Sequence, residues 1–119
     1  MLQPNKILVI RFSSLGDLIL TSPIFRELRR IFPGANLNLL TSVGFGDVLD
    51  NNPHLDRIIK HPRKENFEQL NQLIEELQAE EFDLIYDAHR SMRSRWIVSR
   101  LTAFGICLLY TSDAPDDMQ

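Results

Sequence analysis

Two polar segments of this chain carry residue types that bind or transform ligands. The first is Ser13-Ser14-Leu15-Gly16-Asp17. Gly16 permits backbone geometry that other residues resist, so Ser13, Ser14 and the main-chain N–H groups at a helix start can hold an anion. Asp17 can act as a general base toward a hydroxyl nucleophile or cap the following helix, and the residue type leaves both roles open. The spacing matches neither G-x-G-x-x-G nor G-x-x-x-x-G-K-[ST], which disfavours dinucleotide or ATP binding in those modes.

The second segment runs from Asp87 to Ser94 and is rich in cations. Its basic residues surround the expected start of a helix: His89, Arg90, Arg93 and, one residue beyond, Arg95. Arginine near a helix N-terminus opposes the helix dipole, so the cluster is either a solvated basic face or an anion site. The three histidines, His54, His61 and His89, are isolated from one another and from cysteine, so no metal site is predicted.

Alternating apolar elements must position these two segments. Short β-branched runs predict four strands, at Lys6–Phe12, Leu37–Thr41, Arg57–Lys60 and Phe82–Tyr86. Helical spacing predicts helices over Leu18–Phe32, Val43–Leu49, Glu65–Ala79 and Met92–Phe104, the first with a kink or a preceding turn near Ser22 and Pro23. Strands that alternate with helices indicate an α/β fold, a Rossmann-like, largely parallel sheet with helices on both faces.

The predicted topology brings the two polar segments together. The first and fourth strands are the usual neighbours in such a sheet, and ligands bind beyond the carboxyl ends of the strands. The helix over Glu65–Ala79 has an apolar face formed by Phe67, Leu70, Leu73, Ile74 and Leu77. The last helix has a predicted buried stripe formed by Met92, Trp96, Leu101 and Phe104.

Composition indicates one globular domain. The chain has 119 residues, of which 44% are hydrophobic and 24% charged. Residues 1–104 hold all 13 Lys and Arg and 13 of the 16 Asp and Glu, so the formal charge of −3 belongs to the last fifteen residues. No apolar stretch approaches the ~20 residues of a membrane span, and the N-terminus lacks a signal-peptide pattern. With a single cysteine, Cys107, these features predict a cytoplasmic protein.

Three segments in this order resemble the N-terminal domain of glycosyltransferase family 9, the lipopolysaccharide heptosyltransferases. They are Lys6-Ile-Leu-Val-Ile-Arg-Phe-Ser-Ser-Leu-Gly-Asp-Leu-Ile-Leu-Thr-Ser-Pro23, Arg26-Glu-Leu-Arg-Arg-Ile-Phe-Pro-Gly-Ala-Asn-Leu37 and Asn51-Asn-Pro-His-Leu-Asp-Arg-Ile-Ile59. The S-x-G-D motif ending at Asp17 is the most specific part. The resemblance implies the N-terminal half of a GT-B fold, two Rossmann-like domains around a cleft, which inverts the anomeric carbon without a metal or other cofactor.

The resemblance also implies substrates and roles. The donor would be ADP-heptose, the acceptor the lipopolysaccharide inner core, and the Asp that matches Asp17 is the family's proposed base. It implies substrate binding by Ser13, Ser14, Gly16, Asp87, Arg90 and Arg93. Arg93 matches a basic residue common after the fourth strand, and Asp87 either orients a sugar hydroxyl or caps the next helix. We expect peripheral association with the cytoplasmic face of the inner membrane and no nucleic-acid partner.

The end of the chain departs from the family pattern. Residues 1–104 are interpreted as an incomplete acceptor-binding domain, because the second domain of the family is absent. Residues 105–119 show no recognisable strand and helix, and their Cys-Leu-Leu-Tyr-Thr-Ser-Asp-Ala core resembles translated sequencing-adapter read-through; the alternative is a disordered native tail. We expect the fragment alone to be inactive. The alternative function is a stand-alone Rossmann-like or flavodoxin-like module that binds a nucleotide or phosphate without catalysis.

Overall fold

A computed structural model describes residues 5–12, 22–44, 49–62, 66–89 and 91–102, and the backbone of 107–108. Within these ranges the strands are β1 (Lys6–Ile10), β2 (Asn36–Ser42), β3 (Arg57–His61), β4 (Leu84–Asp87) and β5 (Cys107–Leu108). The helices are α1 (Ser22–Ile31), α2 (Phe67–Glu80) and α3 (Met92–Thr102). Strands and helices alternate, as the sequence predicts.

The strands form one parallel sheet with the order β3-β2-β1-β4-β5. β1 lies between β2 and β4, with Ile10 opposite both Leu40 and Asp87. The strand order therefore reverses beside β1, where parallel sheets bind their ligands. The predicted fold class and the predicted pairing of the first and fourth strands are both confirmed.

The core has two layers because successive side chains of a strand point to opposite faces. Ile7 and Val9 of β1 pack with α1 residues on one face, while Leu8 and Ile10 pack with α2 and α3 on the other. After Lys6, the residues Ile7–Ile10 of β1 are fully buried on both faces of the sheet, which explains their continuous apolar sequence. The sheet is thus a rigid support for the loops at its carboxyl edge.

Carboxylates at the opposite, amino edge hold the starts of the strands. Asp83 accepts hydrogen bonds from two main-chain N–H groups at the start of β1, at 2.7 and 3.0 Å. Asp56 accepts one from the Leu37 N–H at 2.7 Å and one from the Arg29 guanidinium at 2.7 Å. Burial alone would raise the pKa of the Asp56 carboxyl, but these two donors together hold it below its usual value.

Glu80, at the end of α2, joins two strand starts in the same way. Its carboxylate pairs with Lys6 of β1 and, at 3.1 Å, with Arg57 of β3. The Lys6 hydrogen bond is the main reason that the pKa of Glu80 lies below its usual value. Arg57 lowers this pKa further, whereas burial acts in the opposite direction. The amino edge is therefore a set of ion pairs and main-chain contacts within the fold.

The structure corrects several boundaries. The sheet has five strands rather than four, because Cys107–Leu108 pairs with β4 in a segment where the sequence shows no strand. That the tail is non-native stays a prediction. α2 begins at Phe67 because Asn66 caps it, accepting from the Gln69 N–H while the Gln69 side chain accepts from the Asn66 N–H. Val43 and Gly44 form a turn rather than a helix start, and residues 45–48 of that predicted helix lie outside the described ranges.

The predicted buried stripes are partly wrong. Phe67 is 66% exposed and Met92 88% exposed, and Trp96 also faces solvent. The side of α3 that packs on the sheet instead carries Ser94, Ile97, Val98 and Leu101. Of the predicted stripe of α3, Leu101 is confirmed and Phe104 lies outside the described residues. The helical period identifies an apolar face, but three apolar residues of these helices belong to the surface.

Candidate functional site at the carboxyl edge

The candidate site lies where β1 and β4 end side by side. The Ala88 N–H donates to the Ile10 carbonyl at 3.0 Å, which extends the ladder one step beyond β4. The Arg11 guanidinium donates to the Ala88 carbonyl at 2.7 Å across the same pair of segments. The two loops that follow therefore leave the sheet from adjacent positions, as the parallel topology predicts.

The whole first predicted segment lies outside the described residues, with its candidate site residues Ser13, Ser14, Gly16 and Asp17. Arg90 of the second segment also falls outside. Their proposed roles stay predictions. The structure does describe Phe12, which immediately precedes the segment, and His89, which immediately precedes Arg90. The Phe12 N–H donates to His89 Nδ1 at 3.2 Å, so the two segments start from residues in direct contact.

Asp87 is a buried carboxylate with partners in its own chain. It is 3% exposed, and it accepts the His89 main-chain N–H at 3.1 Å and the Ser94 hydroxyl at 3.0 Å. The first contact closes a turn after β4, and the second ties that turn to the first turn of α3. This geometry shows how Asp87 positions the loop; a contact of Asp87 with a sugar hydroxyl stays a prediction.

Ser91, not Asp87, caps α3. The Ser94 N–H donates to Ser91 Oγ at 3.1 Å, and the Ser91 N–H donates to Ser94 Oγ at 2.9 Å. This is the reciprocal arrangement of a capping box, with serine in place of the usual Glu or Gln. Ser94 is fully buried and also donates to Asp87, so the start of α3 is held against the end of β4. The sequence analysis missed both serines, although the S-x-x-S spacing was the available signal.

The side chain of Arg93 is held in a defined position by an aromatic ring at the carboxyl edge. Its guanidinium carbon lies 3.8 Å from the centroid of the Phe12 ring, a cation–π contact. The His89 ring meets the same phenyl ring edge-on, with centroids 5.8 Å apart and planes at 76°. Phe12 is 4% exposed, so this ring is a fixed platform that holds the planar guanidinium at the edge of the sheet. Neither the role of Phe12 in the site nor its contact with His89 was predicted from the sequence.

The remaining arginines of α3 separate from Arg93. Arg95 is exposed on the outer face of α3. Arg100 lies in the last turn, where its guanidinium carbon is 5.6 Å from the Trp96 ring centroid and it donates to the Asn71 side chain at 3.4 Å. The basic run is therefore divided between the carboxyl edge, the outer helix face and the helix end. Of the three arginines of α3, Arg93 is the one held at the carboxyl edge, over the Phe12 ring.

Among the residues that the structure describes, no group of three or more His, Cys, Asp or Glu is arranged to hold a metal ion. Among the same residues, no helix is both long enough and apolar enough to cross a membrane.

The sequence is similar to that of a known transferase, although no family model matches the chain. It is 27% identical over 101 residues to lipopolysaccharide heptosyltransferase 1 of Pseudomonas aeruginosa PAO1. The match covers 77% of this chain and 28% of that protein. The chain therefore spans under a third of the length of this curated relative.

Solved structures show the same fold. A glycosyltransferase family 9 protein from Veillonella parvula DSM 2008 matches with a TM-score of 0.80 at 21% identity, over 95% of this chain and 37% of that one. E. coli heptosyltransferase WaaC with ADP-2-deoxy-2-fluoro heptose matches with a TM-score of 0.68 at 26% identity, over 81% of this chain and 33% of that one. These matches confirm the resemblance to glycosyltransferase family 9 and the predicted GT-B half, over the part of the fold that this chain covers.

Proposed function

We propose that residues 1–104 are the acceptor-binding domain of an inverting glycosyltransferase. The reaction is transfer of heptose from ADP-heptose to a sugar of the lipopolysaccharide inner core. The similarity to lipopolysaccharide heptosyltransferase 1 supports this assignment, as does the likeness to WaaC with an ADP-heptose analogue. A second domain, in the part of the relatives' length that this chain does not span, completes the cleft around the donor.

The observation that carries the proposal is the Arg93 guanidinium on its Phe12 platform, 3.8 Å from the ring centroid, where β1 and β4 end. Guanidinium offers forked donors that match carboxylates and phosphates, the anionic groups of an inner-core acceptor. The phenyl ring limits the rotamers of Arg93, so less conformational entropy is lost when an anion binds. Arg90, three residues earlier in the sequence, adds a second cation in this proposal.

Asp17 is the general base in this proposal. It follows Phe12 by five residues, and Phe12 contacts the second polar segment directly. The Asp17 carboxylate takes the proton of the acceptor hydroxyl while that oxygen bonds to the anomeric carbon. The bond from the anomeric carbon to the diphosphate breaks on the opposite face, and ADP leaves with the electron pair. Ser13, Ser14 and Gly16 bind substrate through hydroxyl and main-chain N–H groups.

The proposed reaction uses no metal and no other cofactor, because the base and the anion-binding groups come from the protein. We expect turnover by the full-length enzyme to be unchanged after treatment with EDTA and removal of the chelator. Loss of turnover that Mg²⁺ or Mn²⁺ restores would contradict this part of the proposal. In this proposal the protein acts in the cytoplasm and associates with the cytoplasmic face of the inner membrane.

The decisive experiment compares two proteins, residues 1–119 and the full-length product of the natural reading frame. With ADP-heptose and an inner-core acceptor, the full-length protein transfers heptose and residues 1–119 do not. The reason is that one domain cannot enclose the donor and orient it against the acceptor, an effect worth ~7–11 kcal/mol of the barrier. Robust turnover by residues 1–119 contradicts the proposal that transfer needs both domains. A full-length protein that binds ADP or phosphate without transfer would instead support the binding module.

A further inference from the structure

An exposed apolar groove lies between α2 and α3 and includes the first residue of each helix. It is lined by Phe67, Leu70, Met92, Arg93, Trp96 and Ser99, with Arg95 at its border, and has a volume of about 610 Å³. Phe67 and Met92 are mostly exposed, and Trp96 is 41% exposed. Large apolar side chains scattered singly on a surface need no explanation, but three that converge on one groove mark an interaction surface.

We propose that this groove, together with Arg95, is the surface by which the protein docks on an anionic lipid bilayer. The inference rests on the proposed function, because the acceptor of that reaction is a lipid-anchored sugar. It names the part of the molecule that faces the membrane.

Charge and residue type favour a bilayer as the occupant. α3 has the sequence MRSRWIVSRLT, which contains three arginines and no acidic residue. Trp96 has an indole ring that suits the boundary between headgroups and acyl chains, while Met92 and Phe67 can enter the apolar layer. Each cation close to an anionic leaflet adds binding energy that salt weakens. An apolar stripe bordered by arginine is the pattern of a membrane-surface helix face.

The position of the groove connects the membrane to the candidate site. Arg93 lines the groove and also holds its guanidinium over Phe12 at the carboxyl edge. An acceptor anchored in the bilayer can thus extend its anionic sugars from the groove to Arg93 without leaving the protein surface. The bilayer would present the acceptor, and the carboxyl edge would bind its headgroup.

Among the described residues, no element covers this groove, since Phe67, Met92 and Trp96 are all exposed. α2 and α3 lie side by side on one face of the sheet, and β5 lies on the side of β4 away from β1. A further right-handed crossover from β5 would place its helix beside α3 on the side away from α2. Continuation of the sheet therefore does not cover the space between α2 and α3.

The test measures binding of the full-length protein to vesicles of phosphatidylethanolamine and phosphatidylglycerol by co-sedimentation. The triple variant Phe67→Ser, Met92→Ser, Trp96→Ser should bind about tenfold more weakly or worse, because its apolar insertion is lost. The control is Ile31→Ser, which changes an apolar residue that is 52% exposed at the end of α1 on the opposite face of the sheet; this variant should bind as the wild type does. Arg95→Glu should weaken binding about fivefold or more, and Arg26→Glu on α1 should have little effect.

Two other occupants give different results. If another part of the chain covers the groove, the triple variant melts at a lower temperature than the wild type and its vesicle binding does not change selectively. If a second copy covers it, the triple variant changes the oligomeric state in the absence of vesicles. Either result overturns the proposal, as does equal vesicle binding by the triple variant and the wild type.

Turnover with an acyl-free acceptor in the absence of vesicles separates this inference from the proposed function. Normal turnover with no groove-dependent vesicle binding overturns the docking surface and leaves the transferase standing. Groove-dependent vesicle binding without any turnover supports the docking surface and contradicts the transferase.

Discussion

The two edges of the sheet use charge differently. At the amino edge, the carboxylates Asp56 and Glu80 bind cations of neighbouring elements, and Asp83 binds main-chain N–H groups at a strand start. At the carboxyl edge, the buried carboxylate Asp87 binds a hydroxyl and a main-chain N–H, while the Arg93 guanidinium lies over a phenyl ring. The amino edge therefore stabilises the fold, and the carboxyl edge holds a cation against Phe12, the residue that precedes the first polar segment.

This difference separates stability from activity. Removing a charge at the amino edge should lower the melting temperature and leave kcat unchanged. Removing a charge from the loops of the carboxyl edge should change kinetic constants. The positioning groups beneath those loops, such as Ser94, should show a stability effect of their own because they are buried.

The largest expected effect is at Asp17 in the full-length enzyme. Asp17→Asn keeps the shape and most of the capping ability but cannot accept the proton, so kcat should fall by roughly 10²–10⁴. The measurement is kcat at saturating acceptor, under conditions in which chemistry limits the rate, together with the melting temperature.

Asp17→Ala is the companion variant, and it should also lose about 0.5–2 kcal/mol of stability through the missing cap. A kcat for Asp17→Asn close to that of the wild type would show that Asp17 is only a cap. Asp17 would then not be the general base of the proposed reaction.

The next largest effect concerns the support beneath the site. Ser94→Ala removes a hydroxyl donor from the buried Asp87 and one half of the capping box of α3. Leaving a buried acceptor without a donor should lower the free energy of unfolding by about 1–3 kcal/mol. Thermal unfolding of the full-length protein measures this loss. Ser99→Ala, on the exposed face of the same helix, is the matched control and should change the value by no more than about 0.5 kcal/mol; equal effects of both variants would refute the positioning role.

Arg93 should affect binding more than chemistry. Arg93→Ala removes a charged, forked donor, so the acceptor KM should rise about tenfold, which corresponds to about 1.4 kcal/mol, with a smaller fall in kcat. Steady-state kinetics with varied acceptor tests this expectation. Arg93→Lys should recover only part of the loss because an ammonium lacks the fork. Arg26→Ala on α1 is the control, and an equal KM change in that variant would contradict a specific role for Arg93.

The smallest effect is at the amino edge and depends on pH. The pKa of Glu80 is lowered in the folded protein, chiefly by Lys6, so its contribution is present above the unfolded pKa, near 4.5, and is lost as the pH falls through the folded pKa. At pH 7, Glu80→Gln should therefore lower the free energy of unfolding by no more than about 1 kcal/mol, with a slightly lower melting temperature. In strong acid this variant should match the wild type.

Thermal melts from pH 7 down to pH 3 measure the difference between Glu80→Gln and the wild type. Glu75→Gln, on the exposed face of α2, is the control without an ion pair in the described contacts. A difference that grows as the pH falls would have the wrong sign for this explanation. A change in kcat at pH 7 would break the distinction between the two edges.

The sequence predicted the regular elements better than their surfaces. β1 was recognisable because a strand buried on both faces must be apolar at every position. The period of α3 was recognisable too, but its buried side was not, because Ser94 is more deeply buried than Trp96. The reason is the hydrogen bond from Ser94 to Asp87, a tertiary contact that makes a polar residue a good core residue. Phe67 and Met92 were misassigned because apolar side chains also occur on protein surfaces, and helical periodicity alone does not separate these from core residues.

The amino-acid sequence by itself determined the alternation of strands and helices, the two polar segments after the first and fourth strands, and the resemblance that named Asp17 and Arg93. These follow from local periodicity and motif spacing. Only the tertiary structure decided that Phe12 is the platform for Arg93 and the partner of His89, since these contacts join residues 77 or more positions apart in the chain. Their formation depends on the parallel register that sets Ile10 opposite Asp87, and register is a property of the assembled sheet rather than of either strand.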